Sequence, residues 1–202
     1  MAKNSIGILG GTFNPIHNKH LELAQLAYEQ FDLAKVLVIP SGISYLKEGT
    51  GVLPGKVRYD MCIEACRGDS RLEVSDIEIR REGSTYTCDT LRELITLAPE
   101  NTYYFIVGTD SFFAMDSWRE PGYIFKSCII VVAARGSDTA EDISYQMKVY
   151  EGRYNAAIRI LQLQPEETSS TEIRNMIREG RDVSRLLPAK LVKYIDENGL
   201  YR

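Results

Sequence analysis

Short apolar runs alternate with longer amphipathic stretches along most of the 202-residue chain. The runs are rich in β-branched residues, and the stretches between them repeat their apolar positions at helical period. This alternation is typical of a parallel sheet covered by helices on both faces. The pattern predicts strands at 5–9, 35–39, 72–79, 102–107, 128–133 and 157–163, and helices at 19–31, 56–66, 87–98, 143–152, 170–180 and 189–199.

This order of elements predicts a Rossmann-like, doubly wound parallel α/β sheet of about five or six strands with C-terminal helices. The length favours a single domain over 1–202, whose C-terminal helical part covers roughly 165–202. A Gly- and Pro-rich stretch at 40–55 follows the second predicted strand. Loops of that length in compact domains are often functional.

Charge and composition exclude several classes of partner. The formal net charge is −4, with both signs mixed along the chain, so there is no electrostatic reason to expect a nucleic acid or an anionic membrane. No apolar run is long enough to span a bilayer, and we expect a cytoplasmic protein. Cys62, Cys66, Cys88 and Cys128 lack the paired spacing of a zinc site, so we expect buried free thiols and no metal site.

The segment "GGTFNPIHNKH" follows the first predicted strand. Gly10 and Gly11 allow a ligand to approach the backbone closely, and the helix that begins near Asn18 offers unpaired N–H groups to an anion. His17 and His20, the two histidines of the chain, are three residues apart near that helix start. They can donate hydrogen bonds to phosphate oxygens, and a bound anion favours charged imidazole. A loop residue and a helix-surface residue would show the same spacing.

A second candidate anion site lies near the C-terminus, in "SSTEIR". Either Ser169 or Ser170 can cap the helix, and Ser169 with Glu172 fits a capping box. Arg174 lies one turn further on, so that Ser170, Thr171 and Arg174 can form an anion site at the same end of the sheet. Two helix N-termini facing one cleft suit a triphosphate.

Four segments resemble a known family. "GGTFNPIHNKHL" is similar to the signature of the nucleotidyltransferases that carry a paired-histidine motif after the first strand. "SSTEIRNMIREGRDVSRLLPAKLVKYIDENGLY", "GTDSFFAMDSW" and "EGSTYTCDTL" resemble segments of one branch, the bacterial nicotinate mononucleotide adenylyltransferases. The resemblance covers nearly the whole chain. It implies that ATP and nicotinate mononucleotide are joined to nicotinate adenine dinucleotide and pyrophosphate, in NAD biosynthesis, with Mg²⁺ accompanying ATP.

The resemblance also implies roles for individual residues. Catalytic roles fall to His17, His20 and Arg174. ATP contacts fall to Gly10, Gly11, Thr12, Phe13, Gly108, Asp110, Ser170 and Thr171. Mononucleotide contacts fall to Lys47, Tyr86, Thr87 and Trp118, and Arg135 is a further candidate because it lies just past a predicted strand, at a strand end suited to an anion. By themselves, Asp110 can be a helix N-cap, Trp118 a core residue, and Tyr86 with Thr87 strand-end or capping residues. The sequence leaves open whether the protein forms a homo-oligomer.

The chain departs from the family pattern in two places. One is "GGTFNPIHNKH", called the phosphate segment below, and the other is the loop after the second strand. Asn14 stands where the family usually has Asp, and Lys19 where it has Gly. The loop keeps Lys47 of the family's Pro-Pro-His-Lys stretch, with Arg58 in a matching place beyond it. Two alternatives follow: a related transferase with another acceptor, nicotinamide mononucleotide first, or with CTP in place of ATP; and a nucleotide-binding sensor without turnover.

Overall fold

The computed structural model of the chain describes residues 4–42, 51–134, 139–162 and 168–202. Its strands are β1 (Ser5–Gly11), β2 (Lys35–Pro40), β3 (Leu72–Val74), β4 (Thr102–Gly108), β5 (Ile129–Ala134) and β6 (Ile158–Gln162). Its helices are α1 (Asn18–Gln30), α2 (Gly55–Cys66), α3 (Thr87–Leu97), α4 (Thr109–Ala114), α5 (Pro121–Ser127), α6 (Ala140–Tyr154), α7 (Ser170–Arg178) and α8 (Ala189–Glu197). A short 3₁₀ turn covers Met115–Ser117.

The six strands form one parallel sheet in the order β3-β2-β1-β4-β5-β6. The predicted Rossmann-like doubly wound fold is therefore confirmed. The strand order reverses between β1 and β4, which pair with Ile8 beside Phe105. In open parallel sheets, ligands bind beyond the carboxyl ends of the strands at such a reversal.

Apolar side chains pack on both faces of the sheet. Along β2, Leu37 and Ile39 belong to the cluster that includes buried residues of α3, α4, α5 and α6. The alternate residues Val36 and Val38 belong to the cluster with α1, α2, α7 and α8. Because both faces are buried, the strands are almost continuously apolar, which is why they stand out in the sequence.

The third predicted strand is wrong in length. The sequence predicts a strand over 72–79, but β3 ends at Val74 and the backbone turns. The Ser75 hydroxyl accepts a hydrogen bond from the Ile77 N–H at 3.4 Å, and the Arg80 N–H donates to the Asp76 carbonyl at 3.0 Å. Ser and Asp favour such local bonds over a strand ladder. The chain therefore leaves the sheet edge early.

The helices α4 and α5 are absent from the sequence prediction. They have only 6 and 7 residues, too few for a helical period to show. Both lie between β4 and β5, so they carry the "GTDSFFAMDSW" segment across the carboxyl end of the sheet.

All four cysteines are buried and free, as predicted. Burial raises the pKa of the Cys66 and Cys128 thiols to about 12, so both stay protonated at neutral pH. No helix in the described part of the chain combines the length and the apolar character needed to cross a bilayer.

Candidate active site

A cavity of about 410 Å³ opens at the carboxyl ends of the strands, where β1 and β4 lie side by side. Residues from β1, β2, β4 and β5 form its floor, and residues of α1, of α3 and of the segment after the 3₁₀ turn form its walls. Eight of the residues predicted from the sequence line it: Gly10, Gly11, Thr12, His20, Tyr86, Thr87, Gly108 and Trp118.

The glycines of the cavity serve two different purposes. A Cβ on Gly11 would lie 2.8 Å from the ring of Phe13, which is buried and has a positive φ of 47°. Gly11 is therefore required by packing inside the protein. A Cβ on Gly10 would lie 3.9 Å from Phe105, an ordinary contact, and one on Gly108 would meet no described atom within 4 Å. At these two positions the glycine keeps space open in the cavity.

The two histidines form a stacked pair at the start of α1. Their ring centroids are 3.7 Å apart with an interplanar angle of 26°, and the Phe13 ring packs edge-on against His20 at 5.1 Å. The His17 backbone N–H donates a hydrogen bond to Nδ1 of His20 at 3.3 Å. Because Nδ1 accepts this bond, neutral His20 carries its proton on Nε2. His20 lines the cavity, whereas His17 is 4% exposed and lies behind it.

The helix α7 begins beside the loop that precedes α1. Ser169 caps α7, as predicted, by accepting a hydrogen bond from the Glu172 N–H at 3.1 Å. The Ser170 hydroxyl donates to the Pro15 carbonyl at 2.9 Å. Two segments about 150 residues apart in the chain are thereby brought together at the carboxyl end of the sheet.

Arg174 connects α7 to the same loop. Its Nη1 donates to the Asn14 carbonyl at 2.9 Å, and its Nη2 donates to the Thr171 hydroxyl at 3.1 Å. None of the α7 residues belongs to the described lining of the cavity. Phosphate contacts by Ser170, Thr171 and Arg174 therefore stay predictions, and of these side chains Ser170 and Arg174 contact the loop before α1.

The far end of the cavity is built around the start of α3. Tyr86 occupies the N-cap position of α3 and Thr87 begins the helix, but the Tyr86 side chain makes no capping hydrogen bond. Trp118 is half-buried, packs edge-on against Phe105 at 6.2 Å and also lines the cavity. It is thus both a core residue and a wall of the site.

Four polar residues that line the cavity at this end escaped the sequence prediction: Glu78, Thr85, Thr90 and Arg119. The Thr90 hydroxyl donates to Oε1 of Glu78 at 2.8 Å and accepts from Nη1 of Arg81 at 3.0 Å. Arg119 lies over the ring of Tyr86. Its place directly after Trp118 is the signal by which sequence reasoning could have found it.

Asp110 lies on the surface beside the cavity. It is exposed, and Gly108 rather than Asp110 occupies the N-cap position of α4. The interpretation of Asp110 as a helix cap is therefore wrong, because α4 begins two residues earlier than that role requires. Ser111, the next residue, lines the cavity. A contact between Asp110 and a ribose stays a prediction.

Arg58 holds loops together inside the protein. It is 3% exposed, and its guanidinium donates to the carbonyls of Leu53 at 2.9 Å, Thr12 at 2.8 Å and Ser41 at 2.6 Å, and to Gly42 at 3.2 Å. Burial lowers the pKa of Arg58, although a guanidinium stays charged at neutral pH. Its donors are used on the ends of β1 and β2, so a substrate contact is not its role.

The structure shows the contacts of Asn14 and Lys19, the two residues of the phosphate segment that depart from the family pattern. Oδ1 of Asn14 accepts hydrogen bonds from the Tyr201 hydroxyl at 2.9 Å and from the Leu53 N–H at 3.3 Å. Asn14 is buried, so it fixes the loop rather than contacting solvent. Nζ of Lys19 pairs with Glu22 at 2.7 Å on the surface of α1.

Lys47 and Arg135 lie outside the described residues. Over the ranges that the structure does describe, no group of three or more His, Cys, Asp or Glu side chains is arranged to hold a metal ion.

Comparison with known proteins identifies the family. The family model for cytidylyltransferase-like proteins matches residues 8–176, which include the end of β1, the histidine pair and most of α7. This chain belongs to the cytidylyltransferase-like family. The match to this cytidylyltransferase-like protein covers both candidate anion sites, the one at the start of α1 and the one in "SSTEIR". It also covers the strand reversal between β1 and β4.

Individual relatives cover the chain from end to end. A probable nicotinate-nucleotide adenylyltransferase of Lachnoclostridium phytofermentans is 36% identical over 97% of this chain and 98% of that protein. One of Desulfitobacterium hafniense is 38% identical over 98% of this chain and 95% of that protein. The predicted family resemblance and the predicted class of enzyme, a nucleotidyltransferase, are confirmed.

Solved structures share the fold. Plasmodium falciparum nicotinic acid mononucleotide adenylyltransferase complexed with NaAD is similar with a TM-score of 0.80 at 20% identity, covering 98% of this chain and 97% of that one. The same enzyme complexed with APC gives a TM-score of 0.77.

Proposed function

We propose that this protein transfers the adenylyl group of ATP to nicotinate mononucleotide, giving nicotinate adenine dinucleotide and pyrophosphate in NAD biosynthesis. The observation that carries this proposal is the position of His20, whose Nε2–H belongs to a ring that lines a cavity at the strand reversal. The full-length relatives named as nicotinate-nucleotide adenylyltransferases support the choice of substrates.

The reaction needs alignment and charge neutralisation more than acid–base chemistry. The 5′-phosphate of the mononucleotide is already an anion at neutral pH, so its oxygen can attack the α-phosphorus of ATP directly. The bond from the α-phosphorus to the bridging oxygen breaks, and pyrophosphate leaves in line with the attack. Preorganised donors that meet the developing charge then carry most of the rate.

The phosphate groups are placed at the start of α1. The backbone of Gly10 permits close approach, and the N-terminus of α1 contributes its partial positive charge. His20 donates from Nε2 to the transferring phosphate, and stacked His17 keeps the ring in that orientation. Thr12 lines the path of the α-phosphate.

The leaving pyrophosphate is assigned to the side of α7. Arg174 and Ser170 contact the loop at Asn14 and Pro15, which supports their assignment to the β- and γ-phosphates. We propose that Mg²⁺ arrives bound to ATP, because phosphate oxygens and water are the ligands that it prefers. MgATP is thus the substrate.

The acceptor occupies the far end of the cavity. The flat ring of Trp118 suits a pyridine ring, and the start of α3 at Tyr86 and Thr87 presents backbone N–H groups to a carboxylate. Lys47 and Arg135 are further candidates for the acceptor by their sequence positions.

The experiment that tests the proposal is pyrophosphate release by the purified protein with MgATP and nicotinate mononucleotide. Omitting either substrate should abolish the signal, and CTP in place of ATP should give little. Release with CTP and not ATP, or binding of ATP without turnover in the presence of either pyridine mononucleotide, would contradict it.

A further inference from the structure

Arg119 stands at the acceptor end of the cavity, with its guanidinium over the ring of Tyr86. Its guanidinium carbon lies 4.7 Å from the centre of the Tyr86 ring, and Arg119 lines the cavity next to Trp118. A planar cation over an aromatic face is attracted to it and loses rotational freedom. Tyr86 covers one face of the guanidinium, so a hydrogen-bonding partner must approach Arg119 along its N–H edge.

Two carboxylates flank Arg119 without reaching hydrogen-bond distance. Oδ2 of Asp89 is 3.8 Å from Nη1, and Oε1 of Glu120 is 4.0 Å from Nε. Both carboxylates accept hydrogen bonds from Arg92 instead: Asp89 at 3.1 Å, and Glu120 through both of its oxygens. Arg92 and Arg119 therefore share these two carboxylates, and the hydrogen bonds go to Arg92.

The chemistry of a guanidinium edge indicates its partner. Two parallel N–H groups match the two oxygens of a carboxylate, and the bonds are charge-assisted. A carboxamide offers one oxygen and no charge. Its NH₂ group is itself a donor, so it cannot accept a hydrogen bond from the second guanidinium N–H. A stacked arginine in this place therefore distinguishes an acid from its amide.

We propose that Arg119 binds the carboxylate of the acceptor's pyridine ring and thereby selects nicotinate mononucleotide over nicotinamide mononucleotide. This inference rests on the proposed function, because it assigns a specificity residue to that acceptor. The backbone N–H groups at the start of α3 lie on the same side of the cavity and add to the contact. Arg119 contributes the charge that separates the two acceptors.

The test compares kcat/KM for the two mononucleotides in the unaltered chain and in three variants. Arg119→Gln should lower the acid-to-amide ratio about tenfold, through a higher KM for the acid, with the amide unchanged. Arg119→Lys should keep part of the ratio because it keeps the charge but loses the planar fork. Arg153→Gln is the matched control: Arg153 is similarly exposed and lies over Tyr154, but pairs with Asp116 away from the cavity. It should keep the full ratio.

Several results would overturn the inference. One is that the unaltered chain shows no preference for the acid. Another is that Arg119→Gln keeps the acid-to-amide ratio of the unaltered chain. The third is that Arg119→Gln lowers kcat/KM equally for both acceptors. ATP affinity and the circular dichroism spectrum check that the variants are folded.

If the unaltered chain releases no pyrophosphate with either acceptor, the proposed function fails. Calorimetry with nicotinate mononucleotide then decides the role of Arg119 separately. Binding about tenfold weaker in Arg119→Gln supports the contact, and equal binding excludes it.

Discussion

Arg174 and Asn14 are 160 residues apart in the chain, yet Nη1 of Arg174 donates a hydrogen bond of 2.9 Å to the Asn14 carbonyl. The same carbonyl belongs to a buried residue whose side chain accepts a hydrogen bond from Tyr201, near the C-terminus. The helix α7 and the segment that follows α8 therefore hold the loop that leads into the histidine pair. The phosphate segment is positioned by the end of the chain as well as by the strand before it.

Replacing His20 tests the main phosphate donor. His20→Ala should lower kcat/KM by about 10²–10³-fold, since a preorganised donor to the transferring phosphate is lost. His20→Gln should recover part of the activity because its amide can donate from near the Nε2 position. Steady-state pyrophosphate release measures both. An unchanged rate in folded His20→Ala would exclude the role.

The two glycines at the end of β1 should respond differently to the same change. Gly10→Ala meets only Phe105 at 3.9 Å, so its free energy of unfolding should stay within about 1 kcal/mol of the unaltered value, while KM for ATP rises. Gly11→Ala would press on the Phe13 ring at 2.8 Å and should lower the free energy of unfolding by about 1–3 kcal/mol. Urea denaturation and ATP titration distinguish the two effects. Equal stability losses would contradict the assignment of Gly10 to the ligand.

Arg58 should prove structural. Arg58→Lys loses most of four hydrogen bonds to carbonyls, so the free energy of unfolding should fall by about 2–4 kcal/mol. Arg67→Lys is the control, because Arg67 is exposed at the C-cap position of α2. It should change the free energy of unfolding little. Denaturant midpoints measure both. Normal stability with a raised KM for the acceptor would restore Arg58 to the binding site.

Asp69 should make the free energy of unfolding depend on pH in the acid range. Side-chain hydrogen bonds from Arg71 lower the pKa of Asp69 from 3.8 to about 2. A folded-state pKa below the unfolded value stabilises the fold above about pH 4, and this contribution is lost as the pH falls from about 4 through 2. Asp69→Asn should therefore be less stable at about pH 6, with the difference shrinking near pH 2.

Denaturation at both pH values measures this difference. Arg71→Gln should behave similarly, because it removes the donor at 2.8 Å from Oδ2. A loss of stability that is the same at both pH values would contradict the assignment.

Much of the fold could be predicted because it follows from local patterns. Strands buried on both faces are continuous apolar runs, and long helices show their period, so β1, β2, α1 and α6 stand out. The short elements α4 and α5 and the early end of β3 could not be predicted, since they depend on side-chain bonds and on packing rather than on period.

The candidate site divides in the same way. The sequence by itself determined the parallel α/β architecture, the histidine pair beside a helix start, a serine cap at Ser169 or Ser170 and the family, because each depends on residues that are close together in the chain. The tertiary structure decided that His17 lies behind His20, that Arg58 is buried and that Arg119 stacks on Tyr86. These outcomes depend on which distant segments pack against each other, and residue spacing along one chain carries no information on that.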